Sequence, residues 1–316
     1  MKKLFMVVLI IFLGVGLVSC GNENENQPDS NTQELPHITI GLLPDLESIP
    51  FVVAELSGAF ADEGVDVTLE CFMSAKDRDS ALQAGKLDGV VNDLVAVFFN
   101  NEGGLPLRAV TKTSGRLAML ASPEFGIDTL TAVAVEGKQI GLSLNTVMEY
   151  NVDRMLQSQD IDPNSVIKVS IPQIPVRMEM LVGEKLDLAI MPDPFVTMAA
   201  GQGAKVMIES DDMPHTAGVV SFRIEILEEK PDAVAAVMRA YRSTAQDLND
   251  QGLGQYRDAV IERLSLPDES HELLELPYYN PILPSEETVR DVQSWMHEKA
   301  LIEGEYAYAE IVINVE

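Results

Sequence analysis

The order of elements read from residues 38–88 returns about a hundred residues later, and this repeat limits the fold more than any other feature of the chain. Ile38-Thr39-Ile40-Gly41-Leu42 reads as a strand, and Ser48-Ile49-Pro50 opens a helix that Gly58 stops. Val65-Asp66-Val67-Thr68-Leu69 is a second strand, Ser74-Ala75-Lys76-Asp77 starts a second helix, and Leu87-Asp88-Gly89-Val90-Val91 is a third strand. In the second unit Lys138-Gln139-Ile140-Gly141-Leu142 matches the first strand, and Thr146-Val147-Met148-Glu149 is a capping box that opens a helix. Val166-Ile167-Lys168-Val169 and Leu186-Asp187-Leu188-Ala189-Ile190 complete it. Gly41 and Asp88 are 47 positions apart, and Gly141 and Asp187 are 46 apart. Strands that alternate with helices imply parallel α/β sheets, so the spacing predicts two similar α/β lobes.

After the second unit, Ala217-Gly218-Val219-Val220-Ser221-Phe222 reads as a strand. Residues 231–248 keep apolar side chains at three-to-four spacing, and residues 285–300 repeat that pattern with Val289, Val292, Trp295 and Met296. Neither helix starts a third unit. The economical layout returns the chain to the first lobe, with crossings near 117–122 and 216–222. Residues 36–121 plus 216–316 then form lobe 1, and residues 122–215 form lobe 2.

The chain opens Met1-Lys2-Lys3, followed by fifteen apolar residues from Leu4 to Val18 and then Ser19-Cys20-Gly21. That run is too short for a membrane span, which needs about twenty residues, and it fits a secretory signal. Leu17-Val18-Ser19-Cys20-Gly21 resembles the bacterial lipobox, which implies a signal peptide at 1–19 and a diacylated Cys20 as the mature N-terminus. The Asn- and Glu-rich stretch through residue 35 is a polar tether that cannot build a core. The expected location is extracytoplasmic, lipid-anchored to the bacterial cell membrane.

Charge excludes one class of partner. The 316 residues carry 22 Lys and Arg against 50 Asp and Glu, a net charge of −28. Such a chain repels phosphate backbones, so no nucleic acid is expected. Cys71 is the only cysteine besides Cys20, and it sits in an apolar stretch as a small core residue. His37, His215, His271 and His297 are scattered without ligand spacing, so no metal site is expected. No nucleophile elbow, phosphate loop or dinucleotide fingerprint is present, so neither an enzyme nor a cofactor is expected.

Four segments together resemble the substrate-binding proteins of ABC importers in the nitrate, taurine, sulfonate and thiamine-precursor group. They are Pro50-Phe51-Val52-Val53-Ala54-Glu55 with Gly58-Ala59-Phe60 and Glu63-Gly64-Val65-Asp66-Val67; Ala81-Leu82-Gln83-Ala84-Gly85-Lys86-Leu87-Asp88; Met191-Pro192-Asp193-Pro194-Phe195 with Ala200-Gly201-Gln202-Gly203-Ala204; and Pro231-Asp232-Ala233-Val234 with Ala240-Tyr241. The resemblance implies a two-lobed periplasmic-binding-protein (Venus-flytrap) fold of the α/β class with two hinge crossings. It also implies a monomer that holds a small-molecule ligand between its lobes and delivers it to an ABC permease and its ATPase. An enzyme on the same scaffold, of the pyrimidine-precursor or menaquinone-pathway type, and a ligand-sensing ectodomain are the alternative readings.

Ligands of open α/β sheets lie beyond the carboxyl ends of the strands, where helices begin. Polar residues at those points are the candidate contacts: Asp45, Ser74, Asn92, Asp93 and Thr113 from one lobe, and Asn145, Thr146 and Asp193 from the other. Ser48, Ser74, Thr146 and Asp193 equally suit a helix N-cap. Asp45 and Glu47 equally suit solvated loop charges. Arg116 and Arg177 could clamp an anion, and Arg177 equally suits a pair with Glu179 or Glu184. With Asp45, Glu47, Asp93 and Asp193 and no basic cluster among the loop candidates, a neutral or cationic organic ligand is favoured.

Overall fold

The computed structural model describes residues 35–316 apart from 211, 212, 214, 215 and 269. The signal segment, Cys20, the tether up to residue 34 and His215 lie outside the described residues.

Ten strands form two five-stranded sheets. The strands are β1 (His37–Leu42), β2 (Asp66–Cys71), β3 (Gly89–Asp93), β4 (Leu107–Lys112), β5 (Leu117–Ala121), β6 (Gln139–Leu142), β7 (Ile167–Ser170), β8 (Leu188–Pro192), β9 (Lys205–Glu209) and β10 (Gly218–Arg223). The first sheet runs β2-β1-β3-β10-β4 and the second β7-β6-β8-β5-β9. In each, four strands run one way and the fourth in spatial order is antiparallel to both its neighbours. That fourth strand is the one arriving from the other sheet: β5 follows β4, and β10 follows β9.

The repeat is visible atom by atom. Asp88 accepts the backbone N–H of Thr39 at 2.9 Å, and Asp187 accepts that of Gln139 at 2.8 Å. A Cβ on Gly41 would lie 2.6 Å from Leu87 and 3.2 Å from the Arg78 stem. On Gly141 it would lie 2.5 Å from Leu186 and 3.4 Å from the Arg177 stem. Each unit therefore uses a glycine so that a leucine and a buried arginine can pack down onto its first strand.

The crossings differ from the sequence reading. The run 117–121, assigned to lobe 1 with the crossing at 117–122, is β5, an inner strand of the second sheet between β8 and β9. Ala118, Met119 and Leu120 are fully buried, and backbone polar groups so placed need ladder partners on both sides. The chain therefore crosses between Lys112 and Leu117. It crosses back between Glu209 and Gly218, because 218–222, placed in the second crossing, belongs to β10 in the first sheet.

Eight helices bear on the site: α1 (Ile49–Ser57), α2 (Ala75–Gln83), α3 (Leu94–Glu102), α4 (Val147–Ser158), α5 (Ile174–Val182), α6 (Phe195–Gly201), α7 (Pro231–Gln251) and α8 (Glu286–Glu298). Gly58 caps α1 in the left-handed region at φ 84°, the conformation that makes glycine the natural stop there. α7 packs along α1, with Tyr241 against Phe51 at 4.8 Å between rings. α8 packs on α3 of the first sheet and also reaches α4 of the second. No described helix is long and apolar enough to cross a membrane.

Candidate functional site

Two neighbouring spaces, with Asp93 in the wall of each, lie between the sheets. The outer one is about 480 Å³ and is bounded by α2 and α3 on one side and by Ser143–Thr146, Ser170 and Pro172 on the other. The inner one is about 50 Å³. Asp45, Glu47, Arg78, Asn92 and Asp93 line it from the first sheet's side, and Leu117, Val147, Met148, Asn151 and Pro192 line it from the second's. Asp93 borders both spaces.

Asp45, 6% exposed, accepts the N–H and the hydroxyl of Ser48 at 3.1 and 2.9 Å. Burial pushes its carboxyl up to about 6 against the pull of those bonds. Glu47 keeps an accessible edge, but burial and the neighbouring Asp45 charge push it to about 8. Asp45 and Glu47 are thus not the solvated loop charges of the alternative reading. Asp93 closes β3 and caps α3, accepting the N–H of Ala96 at 2.9 Å. Burial raises it to about 6, opposed by the Arg78 guanidinium.

Sequence reasoning missed Arg78. It lies between Asp77 and Asp79, a pattern that suggests a solvated helix face, yet it is 1% exposed. Its Nη1 donates to Val91 O at 2.7 Å, and its Nη2 lies 2.8 Å from Asp79. Burial alone would lower its pKa, but the surrounding carboxylates outweigh that and raise it. The one signal available was its match to Arg177 in the repeat. Arg177 does not pair with Glu179 or Glu184. It is fully buried, donates to Ile171 O at 3.0 Å, and burial lowers it to about 10.

The remaining candidates divide. Asn92 is buried in β3, where its Oδ1 accepts the Ser221 hydroxyl at 2.9 Å and its Nδ2 has no partner. Asn145 and Thr146 border the outer space opposite Asp93. Thr146 caps α4 through the N–H of Met148 at 3.2 Å, and Asn145, at φ 57°, donates its own N–H to Glu149 at 2.8 Å. Ser74 is buried as the cap of α2, accepting from Asp77 N at 3.2 Å, and borders neither space. Thr113 is buried in the first crossing, where its N–H donates to Gly218 O at 3.0 Å. Asp193 borders neither space. It accepts the N–H and hydroxyl of Thr197 at 3.0 and 2.8 Å and pairs with Arg116, so its charge is already met.

Capping does not account for Asp93. A cap contributes about 1 kcal/mol, and Asn or Ser supplies it as well. Burying a carboxylate without full pairing costs several kcal/mol. Nucleophilic chemistry has no support at Cys71, which is half-buried; burial pushes its thiol up to about 11, away from the thiolate. Among the described residues no group of three His, Cys, Asp or Glu side chains could hold a metal ion.

Two lobes of one topology, two crossings and a cleft lined from both sides define the fold of periplasmic binding proteins. A model of the family described as NMT1/THI5 like matches residues 45–251, and the chain belongs to that family. It is 22% identical over 255 residues to an ABC transporter periplasmic binding protein of Brachyspira hyodysenteriae, covering 76% of this chain and 72% of that protein. In structure it is similar to the alkanesulfonate-binding protein SsuA of Xanthomonas axonopodis pv. citri bound to MOPS, with a TM-score of 0.74 at 15% identity over 88% of this chain and 98% of the other. It is also similar to the periplasmic nitrate-binding protein NrtA of Synechocystis PCC 6803, with a TM-score of 0.63 at 13% identity over 78% and 68% of the two chains.

Proposed function

We propose that the protein is the solute-binding component of an ABC importer, capturing a small organic molecule in the cleft and passing it to a permease and its ATPase. One observation carries this reading: residues from both sheets wall the same two spaces. A solute there contacts both lobes, so its binding energy favours the closed arrangement over the open one, which is the differential affinity that closure requires. The family membership and the Brachyspira relative support the same role. The protein acts outside the cytoplasm, held to the membrane as a monomer by a lipid on Cys20. It binds rather than transforms its ligand. The cleft contacts are Asp45, Glu47, Asn92, Asp93, Asn145 and Thr146.

The test is a thermal-shift screen of the purified protein against a solute library, followed by uptake of the hit in cells with and without the gene. A solute at a hundred times its Kd adds about 2.7 kcal/mol of apparent stability. Uptake that persists without the protein overturns the transport role. Anchoring is tested separately: Cys20→Ala should leave the membrane fraction.

A further inference from the structure

We propose that the inner space is a cation subsite, in which Asp45, Glu47 and Asp93 seat the protonated amine or amidine head of the solute while its body occupies the outer space. This deepens the solute-binding reading and rests on it.

Three carboxyls converge on about 50 Å³, room for a head group of a few atoms and not for a whole metabolite. Arg78 is the single cationic side chain among the residues lining that space. Its guanidinium lies 2.8 Å from Asp79 and also acts on Asp45, Glu47 and Asp93, so one positive charge is set against four carboxyls, and one of its donors goes to Val91 O. Arg116, at the adjacent crossing, is committed to Asp193 and Glu209. The facing side chains Leu117, Val147, Met148, Asn151 and Pro192 carry no charge. Buried carboxylates that outnumber their counter-charges are costly, and here the ligand can supply the missing charge.

A second observation points to a ligand independently of the acids. Asn92 is 3% exposed and lines the same space, and its Nδ2 has no partner although its Oδ1 takes the Ser221 hydroxyl. A buried amide donor left open costs about 1–3 kcal/mol, and a hydrogen-bond acceptor beside the ligand's cationic head satisfies it. A sulfonate or nitrate fits the space poorly, because its charge is repelled by Asp45 and Asp93 and the opposing side chains Leu117, Val147, Met148 and Pro192 offer it no donor.

Glu47 is protonated at neutral pH when the space is empty, since burial and Asp45 lift it to about 8. An arriving ammonium makes the ionised form the favoured one. The titratable groups facing the space are Asp45, Glu47, Arg78 and Asp93, and Glu47 is the one poised to release a proton on binding.

The test uses benzylammonium, benzyl alcohol and benzenesulfonate at equal ionic strength. Benzylammonium should raise the melting temperature saturably and the other two should not. Glu47→Gln and Asp93→Asn should each raise its half-saturating concentration tenfold or more while the variants still melt cooperatively. Calorimetry in buffers of different ionisation enthalpy should show proton release. A ligand-independent arm uses Met148→Lys, which brings an ammonium into the space on the chain itself. It should melt no lower than Met148→Gln and should abolish the benzylammonium response. The cation subsite is overturned if the alcohol or sulfonate matches the amine, if the acid variants bind benzylammonium unchanged, or if Met148→Lys melts well below Met148→Gln. A neutral or anionic library hit would remove the cation subsite and leave the solute-binding reading standing. A protein that responds to no library compound loses both.

Discussion

Trp295 of α8 donates its indole N–H to the Asp153 carboxylate of α4 at 3.0 Å, so a helix resting on the first sheet is tied to the second. Lys299 reaches the same carboxylate at 3.2 Å. One turn along, Asp291 accepts a two-pronged contact from Arg154 at 3.0 Å and the Tyr150 hydroxyl at 2.6 Å. This tie spans the two lobes beside α3, and opening the cleft has to strain or break it.

Asp153→Ala should therefore destabilise the protein by about 1–3 kcal/mol, because it strands the Trp295 N–H and leaves Lys168 and Lys299 to share Glu149 alone. Urea titration measures the loss. Trp295 is the chain's single tryptophan, so its fluorescence reports the tie directly. Emission should shift red in the variant, and an unchanged spectrum would mean the tie does not set the indole's surroundings.

The buried acids give stability a definite pH dependence. Asp45 and Asp93, near 6, and Glu47, near 8, all lie above the ordinary carboxyl values of about 4 that they regain on unfolding. Between about pH 4.5 and 8 the native state binds more protons than the unfolded one, so stability falls as pH rises through that window and levels off above it. Without ligand, the melting temperature should be higher at pH 5.5 than at pH 8.5. Glu47→Gln should flatten the upper part of that slope. A melting temperature that climbs from pH 5.5 to 8.5 would refute the assignment.

Much of the fold was legible because the repeat is enforced by packing. Gly41, Leu87 and Asp88 recur as Gly141, Leu186 and Asp187, since each first strand needs the same gap, plug and backbone partner. The crossings were not legible. The Leu117–Ala121 strand follows β4 in sequence but pairs in the other sheet, and nothing in its local pattern marks the swap. The site was half legible: strand ends pointed to Asp45, Asn92 and Asp93, but polarity alone cannot separate a bridged acid such as Asp193 from an unmet one such as Asp93. Arg78 was missed and Glu47 stayed open between cleft and solvent, because acidic neighbours or a loop setting look like solvent exposure until the second lobe is in place.

Two glycines, Gly115 in the first crossing and Gly218 at the start of β10, make room for Glu47. A Cβ on Gly115 would lie 2.4 Å from the Glu47 stem, and one on Gly218 would lie 2.5 Å from its carboxylate and 2.4 Å from the Thr113 hydroxyl. Gly115→Ala should be cheap in stability, because a flexible stem can yield, but it should weaken ligand binding by displacing the carboxyl. Gly218→Ala meets the buried Thr113 as well and should cost about 1–3 kcal/mol. Thermal melts and calorimetry on both variants separate the two effects. Equal binding by Gly115→Ala and wild type would show that the position of Glu47 is not critical.

Asp93 and Thr146 face each other across the outer space, and each also caps a helix. The two roles can be separated by substitution. Asp93→Asn and Thr146→Ser keep a side-chain oxygen for the cap and should lose little stability. The alanine variants should each lose about 1 kcal/mol from the lost cap. Ligand affinity follows a different order if these residues touch the solute. Asp93→Asn removes the charge and should weaken a cationic ligand as strongly as Asp93→Ala does, by tenfold or more, about 1.4 kcal/mol. Thr146→Ser should bind like wild type, and Thr146→Ala should be about tenfold weaker. Chemical denaturation paired with calorimetry reads both orders in one variant set. If Asp93→Asn retains full affinity while Asp93→Ala loses only stability, Asp93 serves as a cap alone, and the charge in the cleft rests on Asp45 and Glu47.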